Sequence, residues 1–522
     1  MYLKQVDISG FRGLNRLSIS LRSNMVLVGE NAWGKSSLLD ALSLILNPAS
    51  PRYQFQPTDF HFTPGEYDKL QSAPKTLHKS STILFTFSVS DINEPHFDDR
   101  IHFTPLFCPH EDKYARIYLR VSAELAQGQA STRYDFLDQN GDLLEIDNKT
   151  ALLDALIAQH PVLRFRDARL AHKSNFQLKQ MNDKLPAKEL QAIFNIIQYY
   201  FLQPPTALLM TDSMQWWASV KQLNQELAQD KKGVLRKRLL LALMALFEQG
   251  KNLNFEHYTR PIILLEDIEA RLHPRMVAIA WEFASHLPIQ RITTTNSVEL
   301  ISYVRIEHIC RLLRRDNMTH AYQLARGDLN QDDHRKLGFH IHYNRSLALF
   351  ARAWLLVEGE TEVWLLSELA QVLNINLEME GIRIIDFAQC GLRPLIKYCQ
   401  HMGIEWFVLT DGDSAGRKYS DTVRNKLAQD ETLTNRIITL PERDIEHYFF
   451  HNGFERVFFR LANVKGTSKK MNISKVIQKA INYTSKPDIA LALANEIKSR
   501  GADSVPSLFK QLFFKIRQLI VM

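Results

Sequence analysis

The opening of the chain alternates apolar and polar positions in short runs, VDISGF, LSISL and MVLVGE, a pattern that predicts three strands. The third run leads into GENAWGKSS and then SLLDALSLIL, an apolar helical pattern stopped by Asn47-Pro48. Residues 48–80 are rich in Pro, Ser, Thr and His and read as a loop. ILFTFSVSD (83–91) and ARIYLRVSAEL (115–125) alternate like antiparallel strands, with YDFLDQNGDLLEI as the edge beside them. From about 150 to 250 the pattern turns helical, with a Gln-rich aromatic middle, NIIQYYFLQPP and MQWWASVKQLNQELAQD. An inserted arm and a helical cover for the sheet suit that stretch equally. PIILLEDIEA and RITTTNS then predict two buried strands.

Residues 326–345, RGDLNQDDHRKLGFHIHYNR, are polar without a regular period and read as a linker. A fresh βα alternation follows: WLLVEGETEVWLLSELAQVL, IRIIDFAQC, LRPLIKYCQHMG, EWFVLTDGDSAG and RIITLPERDIEHYFF. Such alternation predicts a parallel sheet. The tail from 465 is Lys-rich and helical.

A chain of 522 residues exceeds one hydrophobic core, so two or three domains are expected. Lys plus Arg is 64 against 57 for Asp plus Glu, a weak lean toward polyanions that leaves the decision to local basic patches. Cys108, Cys310, Cys390 and Cys399 have no zinc-site or disulfide-framework spacing, which suits reduced thiols in the cytoplasm. MYLKQVDISGFRG has no apolar core of a secretory signal, and the longest strongly apolar run, Leu239 to Phe247, is too short to span a membrane. A cytoplasmic protein with no membrane partner is expected.

Gly29-Glu-Asn-Ala-Trp-Gly34-Lys35-Ser36 fits GxxxxGK[ST] between a strand and a helix. Glycines let backbone N–H groups wrap phosphates, and the helix N-terminus favours negative charge. Lys35 would reach the β/γ-phosphates and Ser36 would ligate Mg²⁺. The nucleotide set is Gly29, Asn31, Gly34, Lys35, Ser36, Ser37 and Glu266, for ATP. A P-loop needs a further carboxylate at a strand end, which IILLED supplies as Glu266 and Asp267, one near Mg²⁺ and one, assigned to Asp267, near the attacking water.

VDISGFRGLNRLSISL followed by a P-loop resembles the opening of ABC-type ATPases of the RecF, SMC and OLD (overcoming lysogenization defect) kind. LLEDIEARLHPRM resembles their Walker B and D-loop stretch, an Asp-Glu pair followed by Pro-Glu-Ala-His-Leu-His-Pro. The resemblance implies heads that dimerise around ATP, hence a homodimer or higher homo-oligomer. Three departures weaken the expectation of hydrolysis relative to binding. The Asp-Glu order is reversed, Asn296 stands at the switch histidine of Thr294-Thr295-Asn296-Ser297, and only Lys232-Gly233 stands where a signature loop is expected.

In the later half, WLLVEGETE ends a strand in Glu358, with Glu362 four residues on, and WFVLTDGDSAG delivers Asp411 and Asp413. ERDIEHYFF adds Asp444 and Glu446 after another strand, with Asp444 also suited to capping the next helix. Carboxylates gathered at the C-terminal edges of parallel strands repel unless a cation neutralises them, and hard oxygen donors suit Mg²⁺ or Mn²⁺. Glu in VEG followed by DxD resembles the Toprim domain, and the added Glu362 and DIE stretch resemble its OLD nuclease branch. By that resemblance Glu358, Glu362, Asp411, Asp413 and Glu446 are catalytic and hold one or two metals for water attack on a DNA phosphodiester. Lys469, Lys470, Lys475, Arg393, Arg417 and Lys418 are candidate backbone contacts, each equally a solvated basic residue. Tyr419 and Tyr448 read as packing residues, and His257 and His273 are given no chemistry.

The expected architecture is α/β: an ABC-type P-loop ATPase head over 1–345, with an antiparallel β subdomain and a helical insertion at about 150–230. A Toprim domain over 346–450 and its helical extension over 451–522 follow. The expected function is an ATP-dependent DNA endonuclease of the OLD kind, gated by nucleotide, with a second protein partner allowed. The alternative is a non-catalytic DNA-binding repair or defence ATPase related to RecF and SMC proteins.

Overall fold

A computed structural model describes residues 1–48, 51–63, 65, 66, 68, 78–90, 92, 103–165, 187–197, 214–248, 259–270, 272–325, 327–343, 345–429, 431–464 and 472–521. The chain forms two units, Met1–Gln323 and Leu324–Met522.

In the first unit, β1 (Tyr2–Phe11), β2 (Leu14–Ser20), β4 (Lys79–Ser88), β5 (Arg116–Ala126) and β6 (Gln129–Leu137) form an antiparallel sheet ordered β2-β1-β4-β5-β6. The edge strand is β6, which starts at Gln129 and takes in only Tyr134–Leu137 of the YDFLDQNGDLLEI stretch. A second sheet is ordered β11-β10-β3-β9-β8-β7. Its strands are β3 (Asn24–Val28), β7 (Val162–Phe165), β8 (Ile262–Glu266), β9 (Gln290–Thr294), β10 (Ile309–Arg315) and β11 (Met318–Tyr322), all parallel except β11. Every residue of β9 is buried, as expected of a strand covered on both faces. Helix α1 (Lys35–Ile45) leaves β3 through the P-loop and packs Leu38, Leu39, Leu42 and Ile45 into a core shared with both sheets.

One element of this unit departs from expectation. VLRF, inside the stretch read as helical, is β7 rather than helix. Four apolar-leaning residues after Pro161 carry no period that separates strand from helix. What decides is the parallel partner, Ile262–Leu265, a hundred positions away. The flanking helices are α2 (Lys149–Gln159), α3 (Ala187–Ile197), α4 (Met214–Gln229) and α5 (Val234–Glu248). Residues 198–213 of the Gln-rich aromatic stretch lie outside the described residues, as do His257, Lys469 and Lys470. Helix α6 (Pro274–His286) is capped by His273, whose Nδ1 accepts from the Arg275 N–H, so this histidine has a structural role.

The second unit begins where a linker was expected. Gln331–Leu337 is a helix, α8 when Val298–Tyr303 is α7. Asn330 caps it by accepting from the Asp333 N–H at 2.7 Å. Acids fill its first turn and His334, Arg335 and Lys336 its last, a charge order that suits the helix dipole. Leu337 is its one buried residue, so no hydrophobic period marks it.

A parallel sheet ordered β13-β12-β14-β15 follows: β12 (Ala353–Val357), β13 (Ile382–Asp386), β14 (Glu405–Thr410) and β15 (Ile437–Thr439). Ala353, Leu355 and Val357 face a core shared with Leu365, Leu366 and Leu369 of α9 (Glu360–Val372). On the opposite face Trp354 stacks on Tyr398 of α10 (Leu392–Met402). Helix α11 (Ser414–Arg424) follows β14, and α12 (Ile445–Phe449) follows β15. The tail forms α14 (Ile473–Tyr483), α15 (Lys486–Arg500) and α16 (Ser507–Val521), after α13 (Glu455–Leu461). Helix α15 lies along α9, burying Ile489, Leu493 and Ile497.

Candidate functional site

The nucleotide cradle is built where β3 hands over to α1. Gly34 has φ of 100°, and a Cβ there would come 2.2 Å from Leu14 Cδ2, so glycine is required on both counts. Lys35 opens α1 and is buried; its ammonium donates to the Gly29 carbonyl and, at 3.0 Å, to Asn296 Oδ1. Burial pushes its pKa down, against the opposing pull of Asp267, Glu269 and Glu30. Ser36 and Asn31 are exposed at the mouth. Ser37 faces inward, its Oγ accepting from the Gly13 N–H at 3.2 Å, which ties the helix start to the β1–β2 turn.

The two acids at the end of β8 separate in role. Glu266 accepts from Arg164 at 2.8 and 3.2 Å, and Arg164 also binds Asp40, which is shared with Arg12. Asp267 turns the other way, with φ of 47°, and its buried Oδ1 has no hydrogen-bond partner among the described residues. Burial first, and Glu266 second, raise its pKa. A third carboxylate belongs with them. Glu269 accepts from Thr295 Oγ1 at 2.5 Å and from the Asn296 N–H at 3.3 Å, and burial raises its pKa. Glu269 is absent from the acids expected of this site, although it stands at the Glu of the Pro-Glu-Ala-His pattern in LLEDIEARLHP.

In the second unit, parallel pairing of β12, β14 and β15 brings their C-terminal ends side by side, which is why residues far apart in sequence meet. Glu358 follows β12, and its Oε1 accepts from the Asp411 N–H at 2.9 Å. Glu362 in the first turn of α9 accepts from the Gly359 N–H at 3.0 Å. Asp411 follows β14 and stands among Glu358, Glu362, Asp444 and Glu446. Burial and then these like charges raise its pKa to about 8. Glu362 is raised to about 7, chiefly by burial and then by Glu446. Asp413 caps α11, accepting from the Ala415 and Gly416 N–H groups at 2.9 and 2.8 Å. Asp444 caps α12 and accepts from His447 Nδ1 at 2.6 Å. Glu446 is 2% exposed, so its charge sits out of water.

Lys486 answers that buried charge, with its Nζ 3.4 Å from Glu446 Oε1. Its ammonium also feels Glu362 and Asp444, and although burial opposes it, the acids hold its pKa up. Ser485 caps α15 and sets Lys486 at the helix start. Nothing in a tail dense with lysines singles Lys486 out; of those proposed, Lys475 is exposed on α14. Arg393, Arg417 and Lys418 are exposed, and Arg393 and Lys397 together help depress the Lys426 pKa, behind burial, as close like charges do. Tyr448 packs edge-on to Phe509, and Tyr419 edge-on to Phe387, as packing residues do.

The carboxylates are turned to backbone donors. Among the described residues no three His, Cys, Asp or Glu side chains converge on one ligand point. The donor set still fits a hard divalent cation: it is all oxygen, and burial together with like charges raises the pKa values of Glu358, Glu362 and Asp411.

Two glycines let the acids approach. A Cβ on Gly416 would stand 1.8 Å from the Asp411 carbonyl oxygen, and one on Gly412 would stand 2.3 Å from that of Glu442. Gly416→Ala must therefore push α11 off β14, and is expected to destabilise the chain by about 1–3 kcal/mol. A thermal melt indistinguishable from that of the parent chain would contradict this close approach.

These features define an ABC-type P-loop head joined to a Toprim unit. The chain belongs to the family described as protein of unknown function (DUF2813), which matches residues 1–188 and 175–348, and the Toprim domain of overcoming lysogenization defect protein-like matches 349–413. The uncharacterized protein YbjD of Escherichia coli (strain K12) is 39% identical over 553 aligned positions, covering 99% of this chain and 98% of that protein. Among solved structures, the C-terminal region of the Burkholderia pseudomallei OLD protein is 21% identical, covering 33% of this chain and 99% of its own, with a TM-score of 0.29. The SMC head domain from Thermotoga maritima is 11% identical, covering 62% and 100%, with a TM-score of 0.29. No helix among the described residues is long and apolar enough to cross a membrane.

Proposed function

We propose that this protein is a DNA endonuclease whose Toprim unit cuts phosphodiesters with Mg²⁺ or Mn²⁺ and whose head binds ATP as a gate. The observation that carries the reading is the crowding of Glu358, Glu362, Asp411 and Glu446 against one ammonium, that of Lys486. Such clustering is costly for stability and is typical of sites that hold a cation. Glu358, Glu362, Asp411, Asp413 and Glu446 would hold the metal, which supplies a water of lowered pKa and neutralises charge on the phosphate. Lys486 offers its ammonium to a phosphate oxygen, and Arg393, Arg417 and Lys418 are exposed for DNA backbone contacts.

In the head, Lys35, Ser36 and the backbone of 29–34 receive the nucleotide phosphates, with Asp267 and Glu269 facing the Lys35 charge. Arg164 already occupies Glu266, which favours a role for ATP in binding and assembly over rapid hydrolysis. A second copy of the head, as ABC-type ATPases use, would complete the ATP site, and the cytoplasm is the expected compartment.

The test is conversion of supercoiled plasmid by the full chain with Mn²⁺, Mg²⁺ or EDTA, with and without ATP. Metal-dependent nicked or linear product is expected. Intact plasmid under every condition, with ATP bound, would favour the non-catalytic DNA-binding ATPase instead.

A further inference from the structure

A chain of alternating charges runs from the nucleotide cradle toward the antiparallel sheet of the first unit. Leu163 and Phe165 of β7 face the helices on one side of their sheet, so Arg164 between them faces α1 on the other. Its Nε and Nη2 donate to Glu266 Oε2 at 3.2 and 2.8 Å. Its Nη1 donates to Asp40 of α1 and, at 3.3 Å, to Ser43 Oγ. Asp40 also accepts from Arg12, in the turn between β1 and β2, and Arg12 Nε donates to Asp59 at 2.9 Å. Asp59 is 1% exposed and is fixed by the Tyr53 hydroxyl at 2.6 Å and the Gln56 N–H at 2.8 Å.

The order of signs is Glu266, Arg164, Asp40, Arg12, Asp59: three carboxylates against two guanidiniums, with an acid at each end. The Asp59 end is closed by hydroxyl and backbone donors. The Glu266 end stands at the C-terminal end of β8, next to Asp267, whose carboxylate acts on the Lys35 charge. The buried Asp267 Oδ1 has no hydrogen-bond partner among the described residues, which suits a cation brought there by a nucleotide. The Arg164 and Glu266 side chains are mostly buried, so salt screens their pairing weakly. A guanidinium and Mg²⁺ repel each other and compete for the same carboxylate. Asp40 is the second acid on Arg164, able to keep it paired when Glu266 turns to the metal.

We propose that Arg164 is a positioning residue of the nucleotide site: it holds Glu266 back from the Mg²⁺ of a bound nucleotide, and Asp40 retains the guanidinium when Mg²⁺ takes its place. The proposal rests on the reading of the head as an ATP site. Mg²⁺ with ATP, rather than ATP alone, then acts on the charges that end at Asp59, whose carbonyl accepts from the Arg12 N–H at 2.7 Å.

The test is calorimetric titration of the full chain with ATP, once with Mg²⁺ and once with EDTA, reading the factor by which Mg²⁺ tightens binding. Arg164→Met is expected to raise that factor at least about tenfold, since no hydrogen-bonded charge then competes for Glu266. Arg164→Lys, which keeps a charge without the fork, should fall between that variant and the parent. Asp40→Asn leaves Arg164 to Glu266 alone and should lower the factor at least about threefold. General loosening of the fold would move the methionine and asparagine variants the same way, whereas competition moves them apart. If Arg164→Met does not fold, Asp40→Asn decides. A parent chain that binds ATP, with a factor unchanged by Arg164→Met or raised by Asp40→Asn, would overturn the proposal and leave the ATP site standing. No ATP binding by the parent chain under either condition would overturn both.

Discussion

Asp411→Asn is expected to abolish metal-dependent plasmid nicking and, in EDTA at pH 8, to make the protein more stable than the parent. The carboxyl of Asp411 is held up to about 8 by burial and by Glu358, Glu362, Asp444 and Glu446, and Glu362 is held up to about 7. An acid raised in the folded state binds a proton there that the unfolded chain has released. The stability that these two acids contribute without metal is therefore fully present below about pH 4 and is lost as pH rises through about 7 and 8. The amide has no charge to repel, so the variant loses much of that slope. Its unfolding midpoint at pH 8 should rise by about 2–4 °C, corresponding to roughly 1 kcal/mol in a unit of this size. Added Mn²⁺ should stabilise the parent and leave the variant nearly unchanged. Two outcomes would sink the argument: a variant melting below the parent in EDTA, or one that still nicks DNA.

Lys35→Ala is expected to weaken ATP binding by about a hundredfold or more, as loss of charge-assisted hydrogen bonds to phosphate requires. The ammonium is positioned for this by Gly29 and Asn296, contacts that nucleotide phosphates would replace. The variant should keep metal-dependent nicking while losing its response to ATP, because the carboxylates belong to the other unit. Titration with a fluorescent ATP analogue reads the first effect and the plasmid assay the second. Unchanged nucleotide affinity would remove Lys35 from the phosphate site.

The strand–loop–helix of the P-loop was legible because glycine spacing, the lysine and the flanking periods agree locally. The four strands of the Toprim unit were legible for the same reason, as apolar runs punctuated by Gly, Asp and Pro. The VLRF strand was not, because its identity lies in a partner on β8 rather than in its own four residues. The helix at Gln331–Leu337 was hidden because polar capping and charge order, with one buried leucine, leave no apolar stripe. Glu269 carried a signal that went unread, whereas Lys486 carried none: its neighbours Glu446 and Glu362 are distant in sequence.

Residue types and their spacing determined the chemistry available here: a phosphate cradle at Gly29–Ser36, and acids at the ends of apolar strands that a hard cation would suit. Those choices are local, since a turn that needs glycine or a strand that needs burial states its requirement within a few residues. Tertiary structure decided which groups share an electric field. Parallel pairing of β12, β14 and β15 gathered five acids, and the docking of α15 along α9 set Lys486 against them. Packing of α6 on β9 set the Arg291 guanidinium over the Trp281 ring, with no acceptor among the described residues. Burial and charge–charge repulsion depend on distances through space, and no local pattern along a chain encodes them.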